Sequence, residues 1–291
     1  MVRIARTLFV ALALLSLLPA LFAAPPSPAW QTPDGARQLV RTAVANETPA
    51  GANHRFMFRV TTEKSGLVQV KENIETDEGV VARLVAVNGQ PLSSQQQADE
   101  DARLQKLLRD PHAWAKKRKE QQEDDARTQR MMQALPDAFL FQYEGVEPGP
   151  WGEMIRLRFS PDPAFRPPSR ESEVFQGMQG EMWVDASTLH LVRIDGTLFK
   201  GVNLGFGALG HLNEGGRFQV DQSKLDSERW DVTHMTLQFT GKALFVVKIN
   251  IQEEETASDF QPVPEHLSLK EGVGLLENPQ TLAAAGPGPR R

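Results

Sequence analysis

Cysteine is absent from all 291 residues. That excludes disulfides, thiolate metal sites, a thiol nucleophile and a lipobox cysteine for acylation. Tyrosine occurs once, and aromatic residues make up only 7%. An outer-membrane barrel draws on aromatic girdles and strands of about ten residues throughout, so this composition argues against one. Basic charge is in deficit: 32 Lys and Arg stand against 37 Asp and Glu, a formal charge of −5. Without a basic stripe, nucleic acid and anionic membrane surfaces are poor partners. No G-x-S-x-G elbow, H-x-x-x-H or H-x-x-E-H occurs, so neither a serine hydrolase nor a zinc enzyme leaves a local signature. No catalytic residue, metal or cofactor is assigned.

The long apolar run is confined to the N-terminus. Arg3 and Arg6 precede an apolar Thr7–Leu21, then small Ala23 and Ala24, then Pro25-Pro26-Ser27-Pro28. This reads as a secretory signal over 1–24, cleaved near Ala23 or Ala24, and marks the chain for export. The run is short for a retained anchor helix, and no transmembrane span is expected in the mature form. Loss of Arg3 and Arg6 takes the 32 basic residues to 30 against 37 acidic, a formal −7. A disulfide-free exported chain must rely on its core, and one of this size buries more than two thirds of its surface. A single domain is expected over 25–277. The tail 278–291 is too poor in apolar residues to order itself.

Asp34 reads as the N-cap of a helix over Gly35–Asn46, where Ala36, Leu39, Val40, Ala43 and Val44 form one apolar stripe. Strand alternation starts at Phe56-Met57-Phe58 and returns over Leu67–Thr76 and Val80–Val87. Ser93–Leu135 reads as a helical insertion. Its middle, Lys116–Arg130, carries almost nothing apolar, so it bridges solvent or projects from the body. Strands resume at Ala138–Tyr143 and Met154–Phe159. Gly180–Asp195 reads as a hairpin with arms Met182–Val184 and Leu189–Ile194 around the turn Asp185-Ala186-Ser187-Thr188. Leu198–Leu204, Arg217–Leu225, Trp230–Phe239 and Ala243–Gln252 bring the total to about ten or eleven strands, the last two joined at Thr240-Gly241-Lys242. The order predicts an α+β fold on a meandering antiparallel sheet.

Gly205-Phe-Gly-Ala-Leu-Gly210 spells G-x-G-x-x-G, but no helix signal follows, so the glycines read as kinks in a curved sheet. The basic run Lys116–Lys119 continues into Glu120–Asp125 and reads as a solvated helix face. Glu253-Glu254-Glu255 reads as a strand end facing water. One pattern stands out: Leu189 and Leu191 alternate with Val192 and Ile194, and Leu244 and Val246 with Phe245 and Val247. Strands apolar on both faces are ordinarily covered on both sides. An apolar concave face that receives a lipid-like ligand accounts for them as well.

Gly180-Glu-Met-Trp-Val-Asp185 followed by Leu191-Val-Arg193, together with the leader, the amphipathic helix and the long meander, resembles the lipoprotein-carrier superfamily of the bacterial periplasm. Its members include the outer-membrane lipoprotein carrier, its receptor and a sensor that restrains an envelope-stress anti-sigma factor. The resemblance implies a curved antiparallel half-barrel with helices over its open side and an apolar cavity for acyl chains. The insertion 93–135 departs from that pattern, where a compact lid is expected. Arg83–Leu92 and Leu135–Phe139 also resemble an uncharacterised family of secreted bacterial proteins. The expected role is a soluble binding or carrier protein for an apolar, lipid-like ligand. Cavity candidates are the large apolar strand residues Phe56, Phe58, Trp183, Leu191, Phe218, Trp230, Phe245 and Val247. Two alternatives stand beside it: an envelope interaction or stress-sensing module that meets a protein partner through Ser93–Leu135, and a hydrolase with a dispersed site.

Overall fold

The computed structural model describes residues 29–47, 54–205, 210–243 and 247–278. The expected leader and most of the tail lie outside these. The first long element is α1 (Pro33–Asn46), which buries Ala36, Leu39, Val40, Ala43 and Val44. Its cap is Thr32, not Asp34: the Thr32 side chain accepts from Gly35 N–H at 3.1 Å. Pro33 explains the difference, since a proline has no N–H to satisfy and suits the first helical position.

The strands β1 (Arg55–Lys64), β2 (Leu67–Thr76), β3 (Gly79–Val87) and β4 (Gln90–Pro91) follow. Two helices, α2 (Ser94–Arg109) and α3 (Pro111–Ala138), come next. Then come β5 (Phe139–Gly149), β6 (Gly152–Pro161), β7 (Met178–Asp185), β8 (Leu191–Leu198), β9 (Val202–Leu204) and β10 (Gly210–Leu212). The chain closes with β11 (Arg217–Lys224), β12 (Trp230–Ala243), β13 (Val247–Val263) and α4 (Leu269–Glu277). All thirteen strands join one sheet in the order β4-β3-β2-β1-β13-β12-β11-β8-β7-β6-β5, with β9 and β10 attached beside β12. Every pairing is antiparallel, and β4 and β5 remain at opposite ends, so the α+β fold is an open half-barrel.

Four further sequence expectations change. The sheet holds thirteen strands among the described residues, because β4, β9 and β10 span only 2, 3 and 3 residues and are too short to alternate. Thr240-Gly241-Lys242 is not a turn: β12 continues through it, paired to β13 on one side and to β10 on the other. Gly241 serves close approach instead, since a Cβ there would collide with the His211 carbonyl oxygen. Glu253–Glu255 likewise lie mid-strand in β13, and Glu253 pairs with Lys64 at 2.8 Å. Helix α3 also runs past the predicted stop and carries Pro136 in its last turn.

The two-faced pattern has a local cause. The β7–β8 register shifts between Trp183 and Val184, which makes Val192 the extra residue of a bulge. Leu191 and Ile194 therefore lie in the same core, together with Leu39, Val40, Met182 and Val184. That core joins α1 and the end of α3 to one face of β5–β8, here called the inner face. A second core, with Met57, Ile74, Val81, Leu104, Trp114, Val273 and Leu276, packs α2, the start of α3 and α4 on β1–β3. Following the register from strand to strand puts Met57, Ile74 and Val81 on the outer face.

Candidate ligand-binding face

The half-barrel is covered unequally. Over β5–β8 the inner face is closed by α1, and Ile155, Leu157 and Val184 are fully buried. Beyond β8 the register carries the same face through Phe218 and Val220 of β11, Leu237 and Met235 of β12, and on to Val60 and Phe58 of β1. These side chains are only half buried, and Phe58, Val60, Val220, Met235 and Phe260 belong to neither core. A β-bulge in β13 inserts one residue opposite Phe58 and swings Phe260 onto this face. Its ring stacks on Phe58 at 5.1 Å and meets Phe56 edge-on at 6.1 Å. The result is a face on which aliphatic and aromatic side chains of β11, β12 and β1 flank Glu253 and Glu255 of β13, which the register sets beside Leu237 and Met235, with α1 on one side and the polar inner residues of β2, Lys71, Asn73 and Glu75, on the other.

One end of this face is fixed by ion pairs. Arg229 donates to Glu75 at 2.8 and 2.6 Å and to Asp231 at 2.7 Å, and its guanidinium lies 5.2 Å from the Phe56 ring. Burial favours loss of its proton, but Glu75 and Asp231 outweigh burial and bind the proton more tightly. Nearby, the hydrogen bond and charge of Asp226, 2.8 Å away, raise the pKa of His54. Trp230 stacks on His190 at 5.3 Å and meets Trp151 at 5.1 Å, while Glu47 at the end of α1 accepts from Leu191 N–H at 2.9 Å.

The predicted residues divide. Phe56, Phe58, Phe218 and Trp230 share the inner face; Phe56 is already 3% exposed and filled in by its neighbours. Leu191 is 2% exposed against α1 and serves as core. Val247 stands at the far end of β13, 54% exposed, and Phe245 lies outside the described residues. Trp183 must be corrected: it points to the outer face, between Arg156 at 5.8 Å and Arg193 at 5.9 Å, and donates to Glu147 at 2.5 Å. Odd–even alternation in β7 puts it opposite Met182 and Val184. Val60, Val220, Met235, Leu237 and Phe260 were missed, because only register and the β13 bulge bring them together.

A polar array crosses the outer face. Arg193 donates to Asp221, Asp221 meets His234 Nδ1 at 3.1 Å, and His234 Nε2 lies 3.4 Å from Thr236 Oγ1. Thr236 borders a shallow hollow lined also by Glu63, Gln238, Gln252, Glu253 and Glu254. The order carboxylate–imidazole–hydroxyl suggests nucleophilic chemistry, but Nε2 is shared with Glu254 at 3.3 Å. Glu63 and Glu254, on the same face as the hydroxyl, would also repel a developing oxyanion. This hollow opposes acyl transfer. Asp185, at the hairpin turn, is 2% exposed and bonded to Ser187 and Thr188, which explains it without chemistry. The G-x-G-x-x-G glycines begin and end between β9 and β10, which pair antiparallel, and residues 206–209 lie outside the description.

No family model and no curated protein matches the chain. Among solved structures, it is similar to an outer membrane lipoprotein-sorting protein domain from Vibrio parahaemolyticus, 8% identical, over 83% of this chain and 98% of that one, at a TM-score of 0.30. A DUF1329 family protein from Desulfovibrio piger is 10% identical over 81% and 93% of the two chains, with a TM-score of 0.28. A LolA superfamily protein from Nitrosomonas europaea is 10% identical over 78% and 92%, with a TM-score of 0.27. At such TM-scores the likeness carries no argument about function, and the half-barrel rests on this chain's own register. No helix among the described residues is long and apolar enough to cross a membrane.

Proposed function

We propose that the chain is a periplasmic carrier whose inner face, between α1 and β2, shelters an apolar ligand such as an acyl chain. One observation supports this most: large apolar side chains of β11, β12 and β1, with Phe260 of β13, are left half buried on the inner face around Glu253 and Glu255, while the same face over β5–β8 is closed by α1. Apolar surface that no element among the described residues covers gains free energy from a ligand at about 25 cal/mol per Å² removed from water. The reading predicts that native mass spectrometry of the protein purified from the periplasm finds a bound acyl species. A fluorescent fatty-acid probe should bind, and Met235→Glu should weaken it about tenfold or more, since burying an unpaired carboxylate is costly. Met235 belongs to neither core, so the fold should survive the change. Failure of both ligand recovery and probe binding would refute a carrier role.

A further inference from the structure

At the β3 edge of the inner face, cations gather beside the apolar side chains. The register aligns Val60, Lys71 and Leu84 across β1, β2 and β3, so the Lys71 side chain continues the row from Val60. Helix α2 reaches the same place: Leu84 N–H donates to Glu100 Oε1 at 2.8 Å, and Arg103 donates to the Ala82 carbonyl at 2.6 Å. Helix α3 reaches it too, since Gln121 donates to the Val80 carbonyl at 2.9 Å. Trp114, Lys117 and Gln121 lie on one side of α3, at i, i+3 and i+7. The Lys117 ammonium lies 5.7 Å from the centre of the Trp114 ring. Burial, and then the charges of Arg103 and Lys71, make Lys117 easier to deprotonate than an ordinary lysine, while Glu100 works the other way.

The acid available there is already engaged. Arg103 holds Glu100 through bonds of 2.8 and 2.7 Å, and Asp101 is held by Arg83 at 2.8 Å. Lys71 and Lys117 form no ion pair among the described residues. Two half-buried lysines thus stand at the border of the inner face without an ion-pair partner of their own, since Glu100 is bound by Arg103.

We propose that Lys71 and Lys117, with Arg103, receive the acidic head group, a carboxylate or a phosphate, of an amphiphile whose chain lies on the inner face. This rests on the carrier reading above. The test compares dansyl-undecanoic acid with its methyl ester, two probes of the same chain that differ in one charge. The acid should bind about tenfold tighter, as expected for charge-assisted hydrogen bonds. In Lys71→Glu/Lys117→Glu that preference should vanish, while ester affinity stays within about twofold of wild type and so reports an intact fold. Equal binding of acid and ester by the wild type would overturn the proposal, as would a double variant that keeps the preference. Inorganic phosphate that displaces the acid at micromolar concentration would assign the cluster to a free anion and overturn it too. If neither probe binds at all, the carrier reading falls and takes this one with it.

Discussion

Replacing Asp185 with alanine tests whether one carboxylate holds the β7–β8 turn. Its Oδ1 accepts from the N–H groups of Ser187 and Thr188 at 3.1 and 2.7 Å, and from their hydroxyls at 2.7 and 2.8 Å. A hydrogen bond to a charged group contributes about 1.5–3 kcal/mol. Four bonds on one oxygen do not add, and Ser187 is exposed, so water replaces part of what is lost. The expected cost of Asp185→Ala is about 3 kcal/mol, and that of Asp185→Asn, which keeps a neutral acceptor, about half as much. Urea unfolding monitored by tryptophan fluorescence, with unchanged m-values, measures both. The pH dependence supplies a second check. Burial raises the Asp185 pKa, but the bonds from Ser187 and Thr188 outweigh it and hold the carboxyl below its ordinary value. A depressed folded pKa gives stability that is complete above the unfolded value, near about 3.9, and is lost as pH falls through the folded pKa. The gap between wild type and Asp185→Ala should thus stay level from about pH 8 to 5 and shrink in stronger acid. A cost under about 0.5 kcal/mol, or a gap unaffected by acid, refutes the reasoning.

His54 should titrate above the usual histidine range in an NMR titration, and Asp226→Asn should bring it back down. Because its folded pKa is raised, the stabilisation from this pair is complete below the unfolded pKa and fades as pH rises through the folded one. Gly272→Ala in α4 sets two effects against each other. Helix propensity favours alanine by about 1 kcal/mol, but a Cβ there would lie 2.6 Å from Thr76 Cγ2 and 3.3 Å from Ile74 Cγ2. Ile74 is fully buried and cannot yield, so overpacking wins at about 1–3 kcal/mol and the thermal midpoint should fall. A rise would show that α4 sits less tightly on β2.

Periodic elements were legible and register was not. The stripe of α1 was read to the residue, because its five apolar positions lie on one helical face. The β7–β8 hairpin and its Asx turn were also readable, since the turn chemistry is local. Trp183 and Leu191 were misjudged for different reasons: alternation in β7 turns Trp183 to the outer face, and α1 covers Leu191 as core. Phe260 was invisible because its approach to Phe58 depends on the extra residue in β13, set by pairing with a strand about two hundred positions earlier in the chain. Net charge was a poor guide to the β3 edge, where Lys71 and Lys117 meet only in three dimensions.

The insertion that departs from the carrier pattern gains a physical role at that same edge. An open sheet must dispose of two free edges, each a row of unpaired backbone groups. Along β3, side chains stand in for a missing strand: Glu100 takes the Leu84 N–H, while Arg103 and Gln121 bond the Ala82 and Val80 carbonyls. Gln121 is the residue of α3 that bonds this edge, so part of the helix's polar surface serves β3, while Glu100 and Arg103 of α2 supply the other bonds. From Trp114 in the outer core, α3 runs about 30 Å at 1.5 Å per residue to Ala134 and Leu135 in the inner core and then enters β5, the opposite edge. One helix therefore ties the two edges of the half-barrel together. The β5 edge is blunted differently, by Pro148, which lacks an N–H, and by the bulge at Gly145, whose φ of 140° suits glycine. With one edge capped by side chains and the other twisted away from pairing, the sheet can remain open without adding a further strand. An open sheet is what leaves the face from Phe218 to Phe58 accessible, so the insertion maintains the condition that the proposed carrier role would require.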